Sequence, residues 1–177
     1  NNDVIILDAG LFMPPIVELE EEERVMSEKK LRGIGALPDD LILDKFGLRN
    51  KVRAIAASHA HLDHLGAIPY IAGRYNAEVL ATPFSIEVLK TLLKDESINL
   101  KNNLRPILPN SAYTVKGEKP HQVEFINVTH STLQTAIICV HTEKGAILYA
   151  NDFKFDNSPI LGKKPNYERL KEIAKKE

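Results

Sequence analysis

A chain of 177 residues with 44% apolar and 27% charged side chains can build one domain with a substantial core, and its composition argues against wholesale disorder. A formal charge of −1 argues against a strongly basic nucleic-acid-binding domain, although a local basic groove is compatible with a balanced total. The single cysteine, Cys139, rules out an internal disulfide and fits a reducing compartment, with cytoplasm the expected location; no stretch approaches the ~18 apolar residues of a membrane span, and NNDVIILDAG lacks the basic start and cleavage site of a signal peptide.

In chain order, the first β-branched run is Val4 to Leu7, an expected strand followed at once by Asp8. The acidic run ELEEEER, Glu18 to Arg24, reads as a solvated face on a loop or short helix and is given no function. Val52 to Ala57 is the next expected strand. It ends in small residues and runs directly into SHAHLDHL, residues 58 to 65. Leu65, Ile68, Ile71 with Ala72, and Tyr75 then recur at helical spacing. A strand at Glu78 to Ala81 leads into a second helix, started by Thr82-Pro83 and carrying Ile86, Leu89 and Leu93 on one face. Gln122 to Val128, Ala136 to Thr142 and Ala146 to Tyr149 complete the expected strands, the last two joined by the turn Glu143-Lys144-Gly145. The tail predicts a closing helix with Asn166 as N-cap, Leu170, Ile173 and Ala174 on one face, and lysines near its end to suit the helix dipole. No internal repeat is present, and strands mixed with helices predict a layered α/β domain.

Half of the six histidines fall within HAHLDH: His59, His61, Asp63 and His64 lie within six consecutive positions at the mouth of an expected strand. Imidazole nitrogens and carboxylate oxygens are ligands of divalent zinc or manganese, and i, i+2 spacing in a turn lets His59 and His61 converge on one ion. Asp63 and His64 would then serve a second ion beside it, as in two-metal hydrolases. An isolated histidine is more often a surface or hydrogen-bonded residue than a ligand, but four such groups at this spacing reverse that balance. Further ligands are expected at other strand ends: His130 in VTHSTLQT and Asp152 in YANDFKFD, with Asp8 in the same kind of position after the first strand. His121 and His141 read as structural or surface residues outside the site, and Cys139 as a small core residue.

HAHLDH, with ILDAG upstream and VTHST and NDFKFD downstream, resembles the metallo-β-lactamase superfamily. LDAGLFMP, HLGAIPYI and DFKFD narrow the resemblance to its β-CASP ribonucleases of the ribonuclease J type, on their archaeal side. The resemblance implies an αββα sandwich in which His59, His61 and His130 hold one ion, Asp63 and His64 a second, and Asp152 bridges both. Asp63 and Asp152 would be the catalytic residues, and Asp8 would hold the ligand loop by hydrogen bonds without touching metal. Two divalent ions, zinc or manganese, are the implied cofactors. The implied reaction is attack of a metal-bridging hydroxide on the phosphorus of an RNA phosphodiester: 5′-to-3′ exonucleolytic degradation, with endonucleolytic cleavage in some members. RNA with a 5′-monophosphate end, the remainder of the enzyme and other copies in a homo-oligomer are the implied partners, with no membrane.

Against that pattern, the glycine-containing strands before ILDAG, the β-CASP insertion, the return half of the sandwich and a last histidine ligand are missing. Residues 1–177 are therefore expected to be the N-terminal part of the metallo-β-lactamase domain, incomplete at both ends and a weak or inactive nuclease alone. Strands such as Ala136 to Thr142 and Ala146 to Tyr149 are expected to leave an apolar face and an unpaired edge in water. Asn151 stands where many members of the broader superfamily have glycine, a change that spares Asp152. The alternatives are another hydrolase on this scaffold, a thioesterase or lactonase, and a non-catalytic RNA- or partner-binding module.

Overall fold

The computed structural model describes residues 2–19 and 27–176. The acidic run from residue 20 onward lies outside the described residues. Two four-stranded sheets face each other. The first is parallel, in the order β1 (Val4–Leu7), β2 (Val52–Ala57), β3 (Glu78–Ala81), β4 (Leu104–Pro106). The second is an antiparallel meander of β5 (Ser111–Val115), β6 (His121–Asn127), β7 (Ala136–Thr142) and β8 (Gly145–Tyr149). Short helices α1 (Pro14–Val17), α2 (Glu28–Gly33), α3 (Ile42–Lys45), α4 (Leu62–Leu65) and α5 (Ile68–Ile71) precede the longer α6 (Pro83–Asp95), and α7 (Tyr167–Lys176) closes the chain. Among the described residues no helix is long and apolar enough to cross a membrane.

Period-two alternation sorts the strand residues into layers. Ala54 and Ala56 of β2 and Leu80 of β3 face the second sheet, where Val123 and Phe125 of β6 and Ile138 and Val140 of β7 meet them. The small alanines leave room for the Phe125 ring, which is fully buried. On the other face of the first sheet, Ile55, Ala57, Val79 and Ala81 pack against Leu31, Leu65, Ile68, Ile71, Ile86 and Leu89 from the helices. The outer face of the second sheet, Ile126, Ile137 and Cys139, is covered by Leu170 and Ile173 of α7. The order of layers is α, β, β, α, the sandwich that the sequence predicts.

The last helix is fixed at both ends of its first turn. Asn166 caps it by accepting the Arg169 amide at 3.1 Å, and the Arg169 guanidinium grips both oxygens of the buried Glu124 at 2.7 and 2.9 Å. That cover corrects one expectation: Ala136 to Thr142 does not expose an apolar face, because β7 lies between β6 and β8 with one face on the first sheet and the other under α7. Exposed apolar side chains occur instead on the edge strand β8, at Ile147 and Leu148. Four of the six expected strands have the bounds read from sequence, and the other two differ by one residue. The expected helix through Leu65 and Tyr75 is broken into α4, α5 and a 3-10 turn at Ala72–Arg74, with Pro69, which donates no amide hydrogen bond, in the first turn of α5.

Candidate metal centre

Parallel pairing puts the C-terminal ends of β1 and β2 side by side, with Leu7 opposite Ala56. Asp8 follows immediately with φ 59°, in the left-handed region that costs a non-glycine residue energy. Its carboxylate offsets that cost. Oδ1 accepts the Ser58 amide at 2.7 Å, and Oδ2 accepts the Ser58 hydroxyl at 2.8 Å and the His64 Nδ1 hydrogen at 2.8 Å. The next turn is laced to the histidine loop: the Ala9 amide donates to the His64 carbonyl at 2.7 Å and the Leu11 amide to the Leu62 carbonyl at 2.9 Å. At Gly10 a Cβ would stand 1.7 Å from the Asp63 carbonyl oxygen, so the approach requires glycine.

These bonds fix the histidine tautomers. A carboxylate cannot donate, so the Ser58 hydroxyl hydrogen points at Asp8, and Ser58 Oγ accepts from His59 Nδ1 at 3.0 Å. His59 Nε2 therefore carries a lone pair. It lies 3.0 Å from His61 Nδ1, while His61 Nε2 lies 3.3 Å from the Ser131 hydroxyl. His130 completes the group, with ring centroids 5.0 Å from His59 and 4.9 Å from His61. It arrives there because the segment after β6 is tied to the segment after β8: Lys154 donates its amide to the Thr129 carbonyl at 2.6 Å and Asp156 its amide to Thr129 Oγ1 at 3.1 Å. One donor atom from each of His59, His61 and His130 lies within 4.8 Å of the others.

His59, His64 and Asp152 form a second such group. His64 Nε2 is 3.5 Å from an Asp152 oxygen and 3.7 Å from an Asp63 oxygen. Asp63 thus adjoins His64 without joining either compact triple. Of the residues expected to bind metal, the fold brings together His59, His61, His64, His130 and Asp152, and places Asp63 at their margin.

Electrostatics divide the imidazoles. Burial first, then the neighbouring His64 and His61, push the His59 pKa down to about 4. Burial, followed by His61, also lowers that of His130. His64 moves up, chiefly through its hydrogen bond to Asp8, against the opposing effect of burial. Asp8 stays below the usual carboxylate range although burial alone would raise it, because His64, Ser58 and Asn151 all donate to it.

A divalent ion fits this donor set by its chemistry. Both His130 ring nitrogens are buried without a hydrogen-bond partner among the described residues, a costly arrangement unless a cation takes a lone pair. Sequence reasoning missed two supporting residues. Ser58 is a fully buried relay between Asp8 and His59. Asn151 Nδ2 donates to Asp8 Oδ2 at 3.1 Å and to Ser58 Oγ and lies 3.3 Å from His59 Nδ1, while its buried Oδ1 has no partner among the described residues. Their positions beside His59 and Asp152 in sequence were the available signal.

The other histidines sit elsewhere. His121 Nε2 lies 2.9 Å from Asp3. His141 Nε2 lies 2.9 Å from Glu124, with Cys139 Sγ at 3.6 Å, and that carboxylate is already gripped by Arg169.

The family model for the metallo-beta-lactamase superfamily matches residues 1–175. Ribonuclease J of Pyrococcus abyssi is 39% identical over 179 residues, covering 99% of this chain and 38% of that protein. Ribonuclease J of Methanocaldococcus jannaschii is 35% identical over 178 residues, covering 99% and 39%. The chain therefore spans about two fifths of the length of these curated relatives. A solved Cronobacter sakazakii metallo-beta-lactamase described by a HARLDQ motif aligns with 98% of this chain and 56% of that one, at TM-score 0.52 and 17% identity, a likeness of fold alone.

Proposed function

The chain belongs to the metallo-beta-lactamase superfamily, and from that premise we propose that it is the metal-binding part of a hydrolase of the ribonuclease J type, acting on RNA phosphodiesters. The observation that carries the metal-dependent reading is the His130 ring, both of whose nitrogens are buried and unpartnered among the described residues, packed edge-on against His59 and His61. The choice of RNA is supported by the 39% and 35% identity to ribonucleases J across nearly all of this chain.

In this reading His59, His61 and His130 would hold one zinc or manganese ion, Asp63 and His64 would contribute to a second, and Asp152 would serve both. Ions held there supply a water ionised near neutral pH and positive charge for the phosphoryl oxygens. The chain's own residues prepare the site. Burial keeps His59 and His130 unprotonated, Asp8 and Ser58 hold the Nδ1 hydrogens of His64 and His59, and the side chains of Asp63 and Asp152, 55% and 58% exposed, form the open side that a phosphodiester approaches.

The full reading is a cytoplasmic 5′-to-3′ exonuclease with some endonuclease activity, selective for 5′-monophosphorylated RNA and homo-oligomeric. Residues 1–177 form part of its metallo-β-lactamase domain, and a β-CASP half supplies the rest of the RNA channel. On this view the chain alone is a weak nuclease. The test measures zinc and manganese content by mass spectrometry, then assays cleavage of 5′-monophosphorylated RNA and of a thioester. Both assays use the chain alone and the chain fused to the part of the Pyrococcus abyssi relative that it does not match. Expected are two ions in the fusion and RNA cleavage that Asp152→Asn abolishes. Thioester hydrolysis without RNA cleavage would overturn the ribonuclease reading.

A further inference from the structure

β2 and β3 run away from a second concavity, at the opposite end of the sandwich from the ligand cluster. From Arg53 at the start of β2 to Ser58 beyond its end the strand covers roughly 16 Å at about 3.3 Å per residue. A cleft of about 930 Å³ opens there between the strand starts and the end of β5, lined by Arg49, Arg53, Arg74, Lys101, Arg105 and Lys116. Glu78 is the one carboxylate among its lining residues. We propose that this cleft binds single-stranded RNA through its phosphates, as a contact separate from the metal centre.

The basic side chains fall into two sets. Three arginines are anchored: Arg53 to Asp3 at 2.6 Å, Arg74 to Asp44 at 2.6 Å and to Asp40 at 3.3 Å, and Arg105 to Glu78 at 2.9 Å with its guanidinium 5.3 Å from the Tyr113 ring centroid. A guanidinium has five N–H donors, so a carboxylate on one edge fixes its plane and leaves donors for a phosphate. The second set is free to meet a ligand. Lys101 and Lys116 are exposed and form no ion pair among the described residues, while exposed Arg49 donates from Nε to the Arg74 carbonyl at 3.1 Å and lies 3.9 Å from an Asp44 oxygen, leaving its other guanidinium donors for a ligand. Six cations line this single cleft; Asp3, Asp40, Asp44 and Glu78 pair with its arginines, and the charge left over for a ligand sits on Lys101 and Lys116.

The remaining lining favours a polyanion with base edges over an acidic protein. Asn50, Asn76 and Asn99 are exposed and offer both donors and acceptors. None of the large exposed apolar side chains lines the cleft; its larger apolar and aromatic lining is buried Tyr75 and half-buried Leu100 and Tyr113, so it offers no exposed anchor of the kind that dominates protein interfaces. Spaced cations along an open groove match the backbone of a single strand. The choice of RNA as the polyanion rests on the ribonuclease reading above.

Fluorescence anisotropy with a labelled 12-nucleotide single-stranded RNA, measured on this chain in EDTA, tests the proposal without any contribution from metal or cleavage. Lys101→Glu/Lys116→Glu should weaken binding at least tenfold at low salt, and Lys101→Gln/Lys116→Gln should lower the slope of log K against log salt by about 1.4, two phosphate contacts at ~0.7 each. Lys101→Arg/Lys116→Arg should retain binding. Unchanged affinity in the Glu variant, no RNA binding by the parent chain, or equal displacement of RNA by polyglutamate of matched length would each overturn it. Lysine-dependent RNA binding in a fusion that cleaves no RNA would sink the nuclease reading and leave the cleft intact. Cleavage by that fusion, with RNA binding indifferent to both lysines, would do the reverse.

Discussion

The two candidate ligand groups share His59 but are built differently. The three-imidazole group has buried His59 and half-buried His130 as fixed members, each depressed in basicity and held by backbone that closes the ends of both sheets. The group around His64 reaches outward instead, to Asp152 and Asp63, whose side chains are more than half exposed. Geometry in the first is set by packing, whereas in the second two carboxylates keep rotamer freedom that binding must remove. The first group should therefore bind an ion more tightly, and the second should respond to whatever else enters the open side.

The largest effect that would separate the groups is His130→Ala. It should weaken the tighter of two sites in a zinc titration by more than the 10–100-fold typical of losing an outer hydrogen-bond partner, and leave the weaker site nearly unchanged. Equal loss at both sites would mean that the division is wrong. Asp8→Ala comes next, with a 10–100-fold loss at both sites, since one carboxylate oxygen holds His64 directly and His59 through Ser58. A change confined to one site would break the relay. Asp63→Asn should cost less than about tenfold, at the weaker site alone, because this side chain stands 3.7 Å from His64 and belongs to neither compact triple.

The smallest effect is on the pH dependence of the metal-free chain. His59 has a folded pKa of about 4 against an ordinary 6.5, so the unfolded state binds more protons between those values and stability falls as pH drops through that window. His64 is raised, so its contribution is complete below 6.5 and is lost as pH rises through the folded value. Melting temperatures should fall by a few degrees on each side of a maximum near pH 6.5, at about 2–4 °C per kcal/mol for a chain of this size. His59→Gln should flatten the acid limb and His64→Gln the alkaline one; a variant that flattens neither would remove the electrostatic basis for the comparison.

Legibility from sequence followed contact range. Strands rich in β-branched residues, and the four ligand-type residues within HAHLDH, announce themselves in a few consecutive positions. β4 was invisible because Leu104–Pro106 is three residues with a proline at its end, and β5 because Ser111–Val115 buries only Val115 and gains its register from β6. The role of Asn151 needs a partner 93 residues away at Ser58, and the basic cleft gathers residues from Arg49 to Lys116 whose charges are diluted in a balanced total. His130 and Asp152 were intermediate: strand ends located them, but the Thr129 bonds that bring their segments together involve residues up to 27 apart.

The hydrogen bonds between Asp8 and Ser58 bridge 50 residues of chain, and they depend on the parallel alignment of β1 with β2. Parallel pairing at that separation forms slowly, because a long loop must close before any contact rewards it. The ligand loop consequently cannot take its final shape in a partly folded chain, and an ion selective for the finished geometry acts on the folding equilibrium itself. At free metal a hundredfold above Kd that pull is about 2.7 kcal/mol, enough for the cell's supply of divalent cations to govern how much of a marginally stable chain escapes proteolysis.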